Sequence, residues 1–120
     1  KVCKDCAQSY RPDPDEMEKL GVPRQWREDP KFTMLRAKGC AACDYIGYRG
    51  RTGIYEILIV DESVREMILN RSMSYEIRRY ARKEQGMLTM REEALIKAAI
   101  GRETTAAEVL EHTEDFDDDL

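Results

Sequence analysis

Apolar positions change their rhythm twice along this 120-residue chain. In the first third they are sparse. Asp13-Pro14-Asp15-Glu16 places an N-cap, a proline at the first helical position and an Asp-x-x-Glu capping pattern in succession, and Gly21 supplies a stop, so a short helix is predicted between them. Val22, Trp26, Phe32 and Leu35 are spaced to cover the surrounding loop with a satellite core. The alternation Phe32-Thr33-Met34-Leu35-Arg36 predicts a short strand. The rhythm then tightens at Gly53-Ile54-Tyr55-Glu56-Ile57-Leu58-Ile59-Val60, which is apolar on both faces with Glu56 as its only charge. That pattern predicts a strand buried on both sides, in a sheet covered by helices. Little else in the chain could pair with it, so a larger domain is expected around it.

From Asp61 onward the period is helical. Asp61 caps a helix with Val64, Met67 and Ile68 on one face. Ser74 starts a second, with Ile77, Tyr80 and Ala81 inward and Gly86 as its stop. Thr89-Met90-Arg91-Glu92 is a capping box opening a third, through Leu95, Ala98 and Ala99 to Gly101. Thr105-Ala106-Ala107-Glu108 is another box, opening a last helix with Val109 and Leu110. These short helices are predicted to pack as a small bundle. Met67, Met73, Met87 and Met90 are assigned to core. Residues 113–120 are rich in Asp and read as an acidic flexible tail.

Composition narrows the picture. A hydrophobic content of 42% supports a modest core, and 37% charged residues imply much solvated helix surface. The net charge of −4 argues against phosphate backbones as the main partner. No apolar run approaches the ~20 residues of a bilayer span, so a cytoplasmic chain without direct membrane insertion is expected. Four cysteines fall into two Cys-x-x-Cys pairs, Cys3/Cys6 and Cys40/Cys43. Two such pairs complete the four-sulfur shell that zinc prefers in structural sites, one ion per chain. Disulfides and a redox role are the competing readings, and a cytosolic setting disfavours stable disulfides. Gly39 gives the knuckle before Cys40 a permissive backbone.

No catalytic set can be assembled. The phosphate cradle Gly-x-x-x-x-Gly-Lys-Ser/Thr is absent from the chain. The single histidine, His112, reads as a solvated bystander in the acidic stretch that closes the chain. By itself this chain is not expected to be an enzyme. Arg49 and Arg51 flank Gly50 where guanidinium groups could meet a phosphate or a subunit boundary. The bland alternative is that they are solvated or pair with Glu56 and nearby acids.

Three stretches resemble the C-terminal portion of the bacterial type II secretion and type IV pilus assembly ATPases. They are Gly39-Cys40-Ala41-Ala42-Cys43 running through Gly47-Tyr48-Arg49-Gly50-Arg51-Thr52-Gly53-Ile54-Tyr55-Glu56-Ile57-Leu58, then Gly86-Met87-Leu88-Thr89-Met90 with the helix after it, then Thr104-Thr105-Ala106-Ala107-Glu108-Val109-Leu110. The resemblance covers nearly the whole chain and implies an α+β fold in four parts. Residues 1–48 would be a tetracysteine zinc-binding subdomain and 49–60 a strand of a RecA-like core. Residues 61–112 would be a C-terminal helical subdomain, and 113–120 the tail. It further implies a homo-hexameric parent that binds ATP and Mg²⁺ outside this chain. Such a ring would drive an inner-membrane platform protein to assemble pilin or pseudopilin fibres, staying cytoplasmic and reaching the membrane through partners. Arg49 and Arg51 match the arginines of the family's Gly-Arg-x-Gly segment, where a nucleotide or intersubunit contact is expected. Glu93-Ala94 stands where the pattern has an acid followed by glycine. The rival readings are a free-standing zinc-ribbon adaptor, a nucleic-acid-binding module and a thiol redox module. The adaptor reading requires Ile54 to Val60 to find a sheet partner within this chain.

Overall fold

A computed structural model describes residues 1–114. Its elements are β1 (Gln8–Tyr10), α1 (Pro14–Leu20), α2 (Arg24–Glu28), β2 (Met34–Arg36), a 3₁₀ turn at Ala41–Cys43, α3 (Glu62–Leu69), α4 (Ser74–Glu84), α5 (Met90–Ala99) and α6 (Ala106–His112). The chain is α+β, as expected. β1 and β2 form an antiparallel pair in the register Gln8↔Arg36, Ser9↔Leu35 and Tyr10↔Met34.

The caps act where the sequence placed them. Asp13 accepts the Glu16 N–H at 2.8 Å, and Gly21 ends α1 in the left-handed region. The Glu16 side chain does not close the box, because its carboxylate accepts the Tyr10 hydroxyl instead. Thr89 and Glu92 form the full reciprocal box at α5. At α6 Thr105 accepts from the Glu108 N–H at 3.2 Å. The cap of α4 falls on Met73, which has no side-chain oxygen to offer, and Ser74 is its first helical residue.

Three expectations need correction. The apolar loop residues do not form a satellite core. Met17, Leu20, Val22 and Met34 join Ala94, Leu95, Ala98, Ala106 and Val109 in one buried cluster, with Trp26, Phe32 and Ile54 packed against it. Arg102 stitches the same layers together, reaching the Thr33 carbonyl at 2.9 Å and the Ser9 hydroxyl at 2.8 Å. Nor do the four C-terminal helices form a bundle. α5 and α6 pack on each other and on α1 and β2, while Val64 of α3 and Ala81 of α4 are buried outside that cluster. The molecule is accordingly long, 55 × 31 × 18 Å, with a radius of gyration of 17.1 Å. A compact chain of this length would have about 14 Å. Of the methionines assigned to core, Met87 is buried, but Met73 and Met90 are exposed, as is Ile68.

Residues 53–60 stand apart. No strand forms there among the described residues. A strand exists only through its partner, and neither β1 nor β2 lies beside it. Ile54 packs on the shared core and Glu56 is half-buried, whereas Tyr55, Ile57 and Ile59 are 63%, 70% and 61% exposed. Leu58 and Val60 are exposed as well, so only the Ile54 and Glu56 side chains rest on the helices and the other side chains of the segment face solvent. None of the helices among the described residues is long and apolar enough to cross a membrane.

Candidate metal centre

Two loops bring the four cysteines together. The first pair opens the chain, and the Cys3 N–H donates to the Gly47 carbonyl at 2.8 Å beside an isolated bridge between Val2 and Tyr48. The second pair is wound into the 3₁₀ turn, where Asp44 and Tyr45 follow in the left-handed region. Gly39 has φ +98, and a Cβ there would stand 2.8 Å from the Tyr45 carbonyl oxygen. Gly47 has φ +88, and a Cβ would meet that of Ala37 at 2.6 Å. Both glycines are thus demanded by backbone sign and by space.

The sulfurs form a tight tetrad. Sγ of Cys3 lies 3.8 Å from that of Cys40, Cys6 lies 3.9 Å from Cys43, and Cys40 lies 3.8 Å from Cys43. All four lie within 4.8 Å of one another. A tetrahedron of sulfurs at the ~2.3 Å zinc–sulfur bond length has edges of about 3.8 Å. None of the four is in a disulfide. Cys3, Cys6 and Cys43 are buried, and Cys40 is half-buried.

Backbone amides turn toward these sulfurs. Cys6 accepts from the Gly39 N–H at 3.3 Å, and Cys43 accepts from Cys40 at 3.3 Å and Gly47 at 3.1 Å. Desolvation works to raise the Cys43 thiol, but the amides of Cys40 and Gly47 and the adjoining thiols of Cys40 and Cys6 outweigh it and bring it down to about 6. Its neighbour Cys40 goes the other way, pushed by desolvation up to about 11. The arrangement can hold a metal ion with four sulfurs. Gly47 was legible only as part of a glycine-rich run. Its role as an amide donor to sulfur needed the structure.

The other sequence candidates lie apart from the sulfurs. Arg49 and Arg51 are exposed, and Glu56 pairs with Arg78 at 3.7 Å rather than with either of them. Arg49 lies near Lys1, Cys3 and Lys4 at a shallow cleft. Arg51 lines a separate cavity of about 440 Å³ with Tyr48, Ile54, Met90 and His112. The structure does not bring the two guanidinium groups to a common site. His112 is the last residue of α6, not part of the tail, and pairs with Glu108 at 3.1 Å. The tail expectation falls on residues beyond 114, outside the described ones, while Thr113 is buried and accepts from Arg91 at 2.8 Å.

The profile of the family described as "Type II/IV secretion system protein" matches residues 1–111. The chain belongs to that family. Over 113 residues it is 37% identical to the type IV pilus assembly ATPase PilB of Thermus thermophilus, covering 94% of this chain and 12% of PilB. It is 43% identical over 83 residues to type II secretion system protein E of Pseudomonas aeruginosa, covering 68% of this chain and 15% of that protein. Against type II secretion system protein E of Xanthomonas campestris the identity is 39% over 109 residues, covering 91% of this chain and 18% of the relative. The chain therefore spans less than a fifth of these relatives. This secretion-family segment carries its cysteines and the glycines around them within the matched region.

Proposed function

We propose that this chain is the metal-anchored C-terminal region of a secretion or pilus-assembly ATPase, with one structural zinc at Cys3, Cys6, Cys40 and Cys43. The observation that carries it is the sulfur tetrad, whose 3.8–3.9 Å contacts match the edges of a zinc tetrathiolate. When bound, zinc supplies cross-linking and charge compensation, not catalysis, because four sulfurs leave no position for water. The protein's own part is to place the four sulfurs and to turn the amides of Gly39, Cys40 and Gly47 toward Cys6 and Cys43.

In the longer protein, residues 53–60 serve as a strand of a RecA-like core. Ile54 and Glu56 lie on the helices, and the exposed Tyr55, Ile57, Leu58, Ile59 and Val60 are the surface that a covering layer would bury. Apolar side chains at both parities support this reading, as does the relatives' greater length. ATP and Mg²⁺ are bound elsewhere in that protein, a homo-hexamer that works on an inner-membrane platform protein from the cytoplasmic side. Arg49 and Arg51 contact nucleotide or a neighbouring subunit there. The adaptor alternative is disfavoured, since residues 53–60 find no strand partner among the described residues.

Elemental analysis with thiol titration tests the metal. The expected result is one zinc per chain and four thiols released by a strong chelator. Disulfides and no metal would overturn it. Arg49→Lys or Arg51→Lys in the longer protein should lower ATP turnover, and unchanged turnover would remove the arginine assignment.

A further inference from the structure

The loop that joins α5 to α6 is gripped by the cysteine lobe. The Val2 N–H, one position before Cys3, donates to the Glu103 carbonyl at 2.9 Å. Arg102 reaches back from the same loop to Thr33 and Ser9. The most direct link is a pair of hydroxyls 57 positions apart in sequence. Tyr48 follows Gly47, whose N–H meets the Cys43 sulfur at 3.1 Å and whose carbonyl accepts the Cys3 N–H at 2.8 Å. The Tyr48 hydroxyl lies 2.8 Å from Oγ1 of Thr105. Thr105 is 1% exposed and caps α6, where the same Oγ1 accepts the Glu108 N–H at 3.2 Å. A hydroxyl has one donor and two acceptor positions, so it serves both partners at once. One oxygen therefore joins the first turn of α6 to the residue that shares a peptide bond with the Gly47 carbonyl.

We infer that Tyr48 and Thr105 are positioning residues for the metal centre. Their contact holds the Tyr48 backbone, and through it the Gly47 groups that meet the Cys3 amide and the Cys43 sulfur. Metal binding and the α6 cap are then one thermodynamic unit, in which a change at either shifts the other by the same factor. The inference rests on the metal reading above and extends it to a helix that contributes no sulfur.

Zinc competition against a chromogenic chelator, with residue-resolved amide exchange, tests this on the full chain and on Tyr48→Phe, Thr105→Ala and Thr105→Ser. Tyr48→Phe and Thr105→Ala should each weaken zinc binding roughly fivefold, the worth of one hydrogen bond, and the double variant should lose no more than either. Thr105→Ser keeps the hydroxyl and should bind zinc as the wild type does. In Thr105→Ala the Glu108 amide should also exchange faster, as expected of a lost cap. If that amide speeds up while zinc affinity stays at the wild-type value, Thr105 is a cap alone and the inference is overturned, with the metal reading intact. Additive losses in the double variant would overturn it too, because the two hydroxyls would then act separately. If the wild-type chain takes up no zinc, the metal reading itself fails and takes the inference with it.

Discussion

Gly39 is held by two constraints at once: a backbone sign that side chains resist and a carbonyl where its Cβ would be. Gly39→Ala must either twist the knuckle or push Tyr45 away, and both move Cys40. Strain of this kind costs about 2 kcal/mol, or roughly 30-fold in metal affinity. Competition with a chromogenic chelator measures it, and an affinity within threefold of the wild type would refute the account. Carboxylates provide a second residue-scale prediction. Asp61 sits below its ordinary range, first because the Val64 N–H donates to it and then through the Tyr80 hydroxyl. Burial works to raise Glu92, but Arg82 and Thr89 outweigh it and the group ends lowered. A carboxyl lowered in the fold stabilises it above the unfolded value near pH 4, and that support drains away as pH falls through the folded value. Thermal melts should hold steady from pH 7 to about 5 and then decline. Asp61→Asn and Glu92→Gln together should flatten that decline.

At the scale of elements, what could be read from sequence was whatever is decided locally. Asp13, Thr89 and Thr105 bond amides three residues on, so their helices were legible from spacing alone. β1 was not, because Gln8-Ser9-Tyr10 carries no pattern of its own and becomes a strand only by lying against β2. The same physics leaves 53–60 without strand structure among the described residues, though its composition speaks for one. The cysteine tetrad was legible because two short spacings carry most of its geometry. The shared core was not, since nothing in Met17 or Leu20 tells that their neighbours stand more than 70 positions along in Ala94 and Leu95. Leu20 is fully buried at that junction. Leu20→Ala should cost about 3 kcal/mol in urea unfolding. Its effect should reach α5 and α6 as well as α1, and a loss confined to the first 48 residues would contradict the single core.

Across the whole molecule, α1 and β2 of the cysteine lobe share one interior with α5 and α6, and α3 and α4 lie outside it. Small-angle scattering should return a radius of gyration near 17.1 Å, not the compact value. Chelation should unfold the knuckles while α3 and α4, whose buried Val64 and Ala81 lie outside the main cluster, keep their helical signal. Concerted loss of all helix signal on chelation would refute that division.

The pairing at the root of the cysteine lobe has a mechanical meaning. Val2 bridges Tyr48, and the Arg49 N–H reaches the Lys1 carbonyl at 2.9 Å. The chain enters and leaves the lobe at one place. Traction applied at residues 1 and 50, which sit at the same end of this antiparallel ladder, opens its contacts one after another before the enclosed loop is stretched. An ion held by the four sulfurs would lie behind this ladder and would take load only after the ladder parts.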